Sequence, residues 1–291
     1  MPPISRLGLL VNFTRSRVRE GLEALLSAAR EAGISLLAPP ETAAISPEIQ
    51  PCEVASFAAN GAQGVISLGG DGSFLAASHA LAGAALPLIG LNIGHLGYLT
   101  AVNEEGFAHM LADLAAGNYI QEARSTLTSV LKKNDGAVAI SPDALNDVVL
   151  SRAEGGSAIA ICLTLDGAPV ARWMCDGVIL STPTGSTAYS LSVGGPVVVP
   201  SANVTVITVI APHTLSARPL IVPDTTRITL SIEGEALATV YADGIRQATL
   251  SAADRLEVTR SSHPVNVMLP NNGNPYLPLS RKLRWGAAFE R

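Results

Sequence analysis

The hydrophobic pattern of the chain changes near Arg124, and no other feature of the sequence restricts the fold as strongly. Before this point short apolar runs alternate with helical patterns, whereas after it apolar residues recur at every second position. A length of 291 residues suits two domains of ordinary size. We therefore expect an α/β domain over residues 1–123 and a β-rich domain over residues 124–269. Residues 270–291 could return to the first domain, and the sequence leaves this open.

The first domain is predicted to alternate strands with helices. Apolar runs at residues 7–11, 64–68 and 87–91 suit buried strands. Ser16 is a candidate N-cap for the helix after the first run, and Gly33 is its candidate end. The apolar helix faces are Val18, Leu22, Leu25, Leu26 and Ala29, then Phe74, Leu75, Ser78 and Leu81, then Phe107, Met110, Leu111 and Leu114. This order predicts a parallel sheet with helices on both faces.

The second domain is predicted to be antiparallel, because its apolar residues alternate and turn signals separate the runs. Alternation over residues 159–165 and 228–232 is typical of half-buried strands. The turn signals are Asn134-Asp135-Gly136, Asp166-Gly167 and Asp243-Gly244. Two further short strands are predicted at residues 237–241 and 265–269.

Composition and charge exclude several classes of protein. Apolar residues make up 48% of the chain and charged residues 15%, a balance that excludes disorder. The net charge is −5 and no long basic run exists, so we expect no nucleic-acid partner. Residues 72–103 and 177–217 carry no charge, but polar residues interrupt both, so we expect no membrane span. Cys52, Cys162 and Cys175 support neither a disulfide framework nor a zinc site, and we expect a cytoplasmic protein.

A glycine-rich turn with one carboxylate, Gly69-Gly70-Asp71-Gly72, follows a predicted buried strand and precedes a helix. Ligands of α/β sheets gather at the carboxyl ends of strands. Gly69, Gly70 and Gly72 would let backbone N–H groups approach a phosphate. An aspartate there suits a metal ion, or a proton taken from an attacking hydroxyl group. An ordinary glycine turn with Asp71 as its polar residue remains equally open.

A second candidate segment, residues 176–196, is unusually rich in hydroxyl groups. Serine and threonine hydroxyls both donate and accept hydrogen bonds, which suits sugar hydroxyls and base edges. Tyr189 offers a flat face for a base, and its placement in the core is the less favoured alternative. The pair Asn146-Asp147 could hold a ribose diol, but such pairs more often form turns. His213 is better explained as a structural residue.

Missing motifs exclude several common enzyme classes. The three lysines, Lys132, Lys133 and Lys282, do not follow a glycine run, so a Walker-type phosphate loop is excluded. The G-x-G-x-x-G fingerprint of hydride-transfer enzymes is also missing. Neither H-E-x-x-H nor G-x-S-x-G occurs, which disfavours zinc proteases and serine hydrolases.

In combination, these segments resemble the NAD kinase family. The segments are Gly69-Gly70-Asp71-Gly72, Asn146-Asp147, and Asp176-Gly177 running into Thr182-Pro183-Thr184-Gly185-Ser186-Thr187-Ala188-Tyr189-Ser190. The resemblance implies a Rossmann-like α/β domain, a β-sandwich-like domain, and a ligand cleft between them. It also implies transfer of the γ-phosphoryl group of ATP to the 2′-hydroxyl of the adenosine ribose of NAD. ATP would act with Mg²⁺ or another divalent cation, and the assembly would be a homodimer or homotetramer.

The resemblance further implies roles for individual residues. Asp71 matches the general base, and Gly69, Gly70 and Gly72 lie where the phosphates bind. No metal ligand is carried over. The residues that match NAD contacts are Asp71, Gly72, Asn146, Asp147, Asp176, Thr184, Thr187, Ala188, Tyr189, Ser190, Leu191, Ser192 and Ala211.

The chain departs from the family pattern at several positions. Ser73 stands where threonine is commoner, and Asp147 where glutamate is commoner. The segment Asp243–Gln247 differs from a tighter Asp-Gly-Gln pattern, so Ile245 receives no ligand role. Met174 and Ser157 leave the choice between NAD and NADH open. A lipid or sugar kinase that shares the glycine-aspartate turn, and a dinucleotide sensor without turnover, are the alternative functions.

Overall fold

The computed structural model describes residues 1–14, 17–94, 97–100, 102–271 and 283. Two compact units divide the chain, Met1–Glu122 together with the described residues from Asn266 onward, and Ala123–Val265. The candidate cap Ser16 lies outside the described residues, as does most of the segment 270–291. None of the helices in the described ranges has the length and apolar character that a membrane crossing needs.

The first unit is built on one eight-stranded sheet. Its strands are β1 Arg6–Val11, β2 Ser35–Ala38, β3 Ile49–Pro51, β4 Val65–Gly69, β5 Leu88–Asn92, β6 Val102–Asn103, β7 Tyr119–Arg124 and, much later in the chain, β20 Val265–Pro270. They lie in the order β3-β2-β1-β4-β5-β20-β7, with β6 paired to β5. The strands β2 and β4 both pair in parallel with β1, and β5 pairs in parallel with β4. The chain thus reverses its direction of travel across the sheet between β1 and β4.

Helices cover both faces of this sheet, as the alternating pattern predicts. They are α1 Val18–Ala32, α2 Pro40–Ala43, α3 Asp71–Ala80 and α4 Phe107–Ala116, with 3₁₀ turns at Val54–Ser56 and Glu104–Gly106. Leu22 of α1 and Met110 of α4 share one apolar cluster with Ile89 and Leu91 of β5. Gly90 points to the opposite face, where a β-carbon would meet Phe74 of α3. Gly33 ends α1 in the left-handed conformation, as predicted.

The second unit consists of two antiparallel six-stranded sheets. Its strands are β8 Leu127–Lys132, β9 Val138–Ile140, β10 Asp147–Arg152, β11 Ile159–Leu165, β12 Ala168–Cys175, β13 Gly177–Ser181, β14 Val204–Ile210, β15 Leu220–Pro223, β16 Ile228–Glu233, β17 Ala238–Ala242, β18 Ile245–Leu250 and β19 Arg255–Arg260. The sheet orders are β15-β14-β13-β10-β17-β18 and β12-β11-β16-β19-β8-β9. A 3₁₀ turn at Thr184–Thr187 and the short helix α5 Tyr189–Ser192 follow β13.

Apolar side chains of both sheets meet in one buried cluster, which is the arrangement of a β-sandwich. Leu150 of β10 and Leu180 of β13 belong to it from one sheet, and Ile161 of β11 and Leu230 of β16 from the other. The Asp166-Gly167 and Asp243-Gly244 turns close the β11–β12 and β17–β18 hairpins. The predicted combination of an α/β part and a sandwich-like β part is confirmed.

One strand belongs to a different sheet from the one predicted. The sequence pattern assigns residues 265–269 to the β domain, whereas β20 pairs in parallel with β5 at Val267 and Leu88. The side chain of Met268 in β20 is buried in the core of the first unit. The chain therefore returns to that unit at Asn266, earlier than residue 270. An apolar run predicts a strand but carries no information about its partner, because both cores bury apolar side chains equally well.

Candidate active site

The glycine-aspartate turn lies where the chain changes direction across the first sheet. Strand β4 ends at Gly69 and α3 begins at Asp71, so Asp71 is the first residue of the helix. Ser73 Oγ accepts hydrogen bonds from the Gly70 N–H at 3.3 Å and from Asn12 Nδ2, which follows β1, at 3.2 Å. Ligand sites of open α/β sheets occur at such switch points, beyond the carboxyl ends of the strands.

The carboxylate of Asp71 is held by the backbone of a neighbouring segment. Its Oδ2 accepts the Tyr98 N–H at 2.9 Å, and its Oδ1 accepts the Leu99 and Thr100 N–H groups at 3.0 and 3.3 Å. The Thr100 hydroxyl also donates to Oδ1, at 3.2 Å, and itself accepts a bond from Asn92 Nδ2 at 3.0 Å. These contacts orient the carboxylate and leave its rotation little freedom.

Sequence reasoning did not find this segment, residues 97–100. Gly97 packs so closely that a β-carbon there would overlap Oδ1 of Asp71. Burial and the negative charge of Asp71 both raise the pKa of the Tyr98 phenol. The available signal was a charge-free stretch containing Gly94 and Gly97 directly after β5, at the same sheet edge as the glycine-aspartate turn.

The Asn146-Asp147 pair lies at the entrance to β10 in the second unit. Asp147 pairs in register with Ser181 at the end of β13, so the pair adjoins the hydroxyl-rich segment. Asn146 is half-buried, whereas Asp147 is only 5% exposed. Burial, and then the negative charge of Asp243, raise the pKa of Asp147 to about 7. A buried carboxylate of this kind gains from a ligand that donates hydrogen bonds to it.

Several hydroxyls of the segment 176–196 serve the protein itself. Thr182 Oγ1 donates to the carbonyl of Leu145 at 2.6 Å. Ser186 Oγ donates to the carbonyl of Pro183 at 2.7 Å, and Ser190 Oγ shares a 2.9 Å hydrogen bond with the hydroxyl of Thr208. All of these hydroxyls are buried. Part of the hydroxyl density in the sequence therefore satisfies buried backbone and side-chain groups.

Other side chains of this segment remain available to a ligand. Thr184 is only 6% exposed, and its hydroxyl has no hydrogen-bond partner among the described residues. Tyr189 is 45% exposed, which excludes the reading of this residue as core. Thr187 and Ala188 are half-buried. Leu191 is half-buried and Ser192 is exposed on the short helix α5.

Asp176 and Ala211 come together at the other end of β13. The Asp176 N–H donates to the carbonyl of Ile210 at 3.0 Å, which places Ala211 beside it. Ala211 has a φ of 44°, a left-handed conformation that strains an alanine. Arg152 Nε donates to the Asp176 carboxylate at 2.9 Å, an ion pair that the sequence did not predict. Asp176 thus lies directly before β13, and Asp147 of β10 lies beside Ser181 at the far end of β13.

Neither a metal cage nor a phosphate-binding lysine is found in the described ranges. No group of three His, Cys, Asp or Glu side chains there could hold a metal ion. Lys132 pairs with Glu257 at 2.6 Å, and Lys133 pairs with Asp254 at 3.1 Å. Both lysines thus support the β-sandwich.

Both parts of the chain match models of known protein families. Residues 18–119 match the ATP-NAD kinase N-terminal domain, and residues 145–269 match the ATP-NAD kinase C-terminal domain. Among its relatives, the NAD kinase of Ralstonia nicotianae is 34% identical over 284 residues, covering 97% of this chain and 94% of that one. The NAD kinase of Moorella thermoacetica is 33% identical over 290 residues, covering 98% and 91%.

Two solved structures have similar folds. The NAD kinase of Archaeoglobus fulgidus in complex with ATP superposes with a TM-score of 0.73 at 26% identity, covering 96% of this chain and 98% of that one. Yeast NADH kinase complexed with NADH gives a TM-score of 0.86 at 23% identity, covering 99% and 89%, and this likeness concerns the fold alone. From the two domain matches and the relatives that span nearly the whole chain, we conclude that the chain belongs to the NAD kinase family and is a kinase.

Proposed function

We propose that the chain transfers the γ-phosphoryl group of ATP to the 2′-hydroxyl of the adenosine ribose of NAD, forming NADP. The observation that carries this proposal is the pair of family matches, which cover the glycine-aspartate turn and the hydroxyl-rich segment alike. A lipid or sugar kinase would leave the match of residues 145–269 to the ATP-NAD kinase C-terminal domain unexplained. A dinucleotide sensor without turnover would not need a carboxylate beside the phosphates.

Asp71 is the proposed general base. Phosphoryl transfer depends mainly on positioning and charge neutralisation, and the attacking hydroxyl loses its proton late. General base catalysis of this kind contributes roughly 10²–10⁴ in rate. The four hydrogen bonds from Tyr98, Leu99 and Thr100 support the role, because they hold the carboxylate in a defined orientation before the substrate arrives. Gly69, Gly70 and Gly72 are the proposed phosphate contacts.

The second unit is proposed to hold NAD along β13. Asn146 and Asp147 would hold the adenosine portion, with the buried Asp147 carboxylate accepting from the ribose hydroxyls. Asp176, paired with Arg152, would contact the nicotinamide half. The hydroxyl of Thr184, which lacks a hydrogen-bond partner in the described part of the chain, fits a polar ligand atom. The remaining proposed NAD contacts are Asp71, Gly72, Thr187, Ala188, Tyr189, Ser190, Leu191, Ser192 and Ala211.

A divalent cation is proposed to arrive as part of the ATP complex. The described residues provide no carboxylate cage for a resident Mg²⁺, which usually keeps several waters and binds through substrate phosphates. The cation would neutralise phosphate charge, and the chain's own contribution would be the backbone N–H groups of the glycine turn. A cytoplasmic homodimer or homotetramer is also proposed, on the resemblance to the family. Light scattering of the purified protein tests the assembly.

The decisive experiment is an assay of the purified full chain with ATP, Mg²⁺ and NAD, in which NADP is measured with an NADP-specific dehydrogenase. NADH, a diacylglycerol and a sugar are offered in parallel. We expect NADP, and phosphorylation of only the lipid or the sugar would reject the proposal. Asp71→Asn should lower kcat at least 100-fold, because the amide cannot take the proton.

The affinity for NAD, measured by calorimetry, should stay within about threefold in Asp71→Asn, because the shape of the side chain is kept. Asp166→Asn, at an aspartate that closes the β11–β12 turn, is the control and should retain wild-type kcat. Near wild-type turnover of Asp71→Asn would remove Asp71 from the role of base.

A further inference from the structure

The segment Asp243–Gln247, whose ligand role the sequence left open, contains an aspartate with unusual contacts. Asp243 lies in the turn between β17 and β18 and has a φ of 47°. Its carboxylate accepts hydrogen bonds from three consecutive N–H groups, those of Leu145 at 2.8 Å, Asn146 at 2.7 Å and Asp147 at 3.1 Å. Its own N–H donates to the carbonyl of Asp147 at 3.0 Å.

The turn itself does not require these contacts. The Asp166-Gly167 turn has nearly the same backbone, with φ values of 48° and 84° against 47° and 78° at Asp243-Gly244. Among the described residues, Asp166 exchanges hydrogen bonds with a single residue of the neighbouring segment: its carboxylate accepts the Arg227 N–H at 2.9 Å, and its own N–H donates to the Arg227 carbonyl at 3.0 Å. Because the Asp166-Gly167 turn forms with one such bond, the turn at Asp243 does not need three, and its bonds serve to hold residues 145–147.

The opposite side of the 145–147 segment is fixed by the hydroxyl-rich stretch. Thr182 Oγ1 donates to the carbonyl of Leu145 at 2.6 Å, and the Thr182 N–H donates to the carbonyl of Asn146 at 2.9 Å. A β-carbon on Gly185 would overlap the Asn146 carbonyl, so the two backbones are in direct contact. All three N–H groups and all three carbonyls of residues 145–147 are thus bonded, with Asp243 supplying the partner of each N–H.

From these contacts we propose that Asp243 is a positioning residue for NAD: it fixes the backbone from which the Asn146 and Asp147 side chains reach the adenosine ribose. This inference rests on the proposed NAD-binding role of those two residues. Asp243 need not touch the substrate for it.

The charge of Asp243 provides a second effect that a purely structural residue would not have. Burial and then the Asp243 charge raise the pKa of Asp147 to about 7. Asp147 lies in β10, whose neighbouring strands are β13 and β17. Neither β13 nor the 3₁₀ turn after it contains a titratable side chain, and Tyr241 of β17 lies opposite Val149 rather than Asp147. The ionised Asp147 is the form that accepts from ribose hydroxyls, so the KM for NAD should fall as the pH rises through about 7.

The test compares Asp243→Asn with Asp166→Asn, since asparagine tolerates the left-handed conformation in both turns. Steady-state kinetics are measured from pH 6 to pH 9, and folding is followed by thermal unfolding. At pH 8, Asp243→Asn should raise the KM for NAD about tenfold, while kcat and the KM for ATP stay within about threefold. The pH midpoint of the KM for NAD should move to lower pH, because a negative neighbour of Asp147 is gone. Asp166→Asn should change neither quantity.

A second variant, Asp243→Gly, keeps the backbone conformation and removes every acceptor, so it should raise the KM for NAD more than Asp243→Asn does. If either variant fails to fold, the other decides. An unchanged KM for NAD, an equal loss in Asp166→Asn, or an unmoved pH midpoint would overturn the inference.

Asp147→Ala separates this inference from the proposed function. It should raise the KM for NAD at least tenfold, because it removes an ionised acceptor. If Asp147→Ala leaves that KM unchanged, the proposed NAD site is wrong. If Asp147→Ala raises it and the Asp243 variants do not, the positioning role alone is wrong.

Discussion

The two units contain carboxylates with matching hydrogen bonds and opposite tasks. Asp71 accepts the N–H groups of Tyr98, Leu99 and Thr100, and Asp243 accepts those of residues 145–147. In the first unit the carboxylate is the group proposed to react, and the backbone segment holds it. In the second unit the carboxylate is the holder, and the segment carries the side chains proposed to bind. We call each such carboxylate, together with the three residues whose N–H groups it accepts, a junction. Both junctions are rigid, but the carboxylate is the proposed functional group in the first, and the side chains of the bonded segment are in the second.

A glycine completes each junction. Gly97 leaves room for Oδ1 of Asp71, and Gly185 leaves room for the backbone of Asn146. The two obstacles differ in kind, because the first is a side chain, which can be displaced with loss of its hydrogen bonds, and the second is main chain, which cannot move without the fold. Enlarging Gly97 should therefore displace a reacting group while leaving the fold intact.

The largest expected effect follows from Gly97→Ala. The new β-carbon would overlap Oδ1 of Asp71, so the carboxylate must turn away from its present position. A displacement of about 1 Å at a reacting group can cost roughly 100-fold, so kcat should fall by about that factor. NAD affinity by calorimetry should change little, because the proposed contacts of the second unit are untouched.

Gly106→Ala is the control for this prediction, since its β-carbon would meet a methyl group of Val102 at 3.0 Å and Oδ1 of Asn103 at 3.5 Å, neither of which belongs to Asp71 or to the segment that holds it. It should keep kcat within about twofold, as expected for a substitution away from the reacting groups. Wild-type turnover in Gly97→Ala would mean that the hydrogen-bonded orientation of Asp71 is not the one used in catalysis.

The second prediction concerns the charge beside the Asp243 junction. The folded chain holds the Asp147 proton up to pH of about 7, whereas the unfolded chain releases it near 3.8. The folded state therefore binds more protons between these values, and Asp147 makes stability fall as the pH rises from about 4 to 7. Asp147→Asn removes this penalty. Relative to wild type, it should gain roughly 3 kcal/mol in the free energy of unfolding between pH 5 and pH 8.

Asp254→Asn gives the matched control, measured by urea unfolding at the same two pH values. Burial by itself would raise the pKa of Asp254, but the hydrogen bonds from Ser251, Lys133 and Asn134 together outweigh it and lower that pKa to about 2. Its stabilising contribution is present above the unfolded value and is lost only as the pH falls toward 2. The loss caused by Asp254→Asn should therefore be equal at pH 5 and pH 8. An equal effect of Asp147→Asn at both pH values would contradict the raised pKa.

The contrast between the two junctions also explains what the sequence could predict. The alternation of strands and helices, the Asp-Gly turns and the position of Asp71 after β4 all depend on neighbours along the chain, and each was predicted. The Asp243 contacts join residues 96 to 98 positions apart, and the partner of β20 is equally remote. Such long-range contacts depend on how the whole unit packs, so the periodicity of the local sequence does not predict them.

Hydroxyl groups illustrate the same limit within one segment. The sequence predicts a ligand-binding role for the hydroxyl groups of residues 176–196. The hydroxyls of Ser186 and Ser190 instead form hydrogen bonds within the protein, whereas that of Thr184 has no partner among the described residues. Serine and threonine satisfy backbone groups and ligands with the same atoms. The hydrogen-bond partners of each hydroxyl in the folded structure are needed to tell which hydroxyls support the fold and which are available to a ligand.

The smallest effect is expected at Thr184, next to the junction that Gly185 completes. The buried hydroxyl of Thr184 has no partner among the described residues, so an isosteric Thr184→Val should leave stability unchanged or raise it by about 1 kcal/mol. If NAD supplies the missing partner, the same change should raise the KM for NAD about fivefold, the value of one ordinary hydrogen bond. Ser129→Ala removes another buried hydroxyl, in the β-sandwich, that finds no partner within the described ranges, and it should affect stability alone. A Thr184→Val enzyme with unchanged KM for NAD would show that the orphaned hydroxyl belongs to the fold, and the comparison would then rest on Asn146 and Asp147.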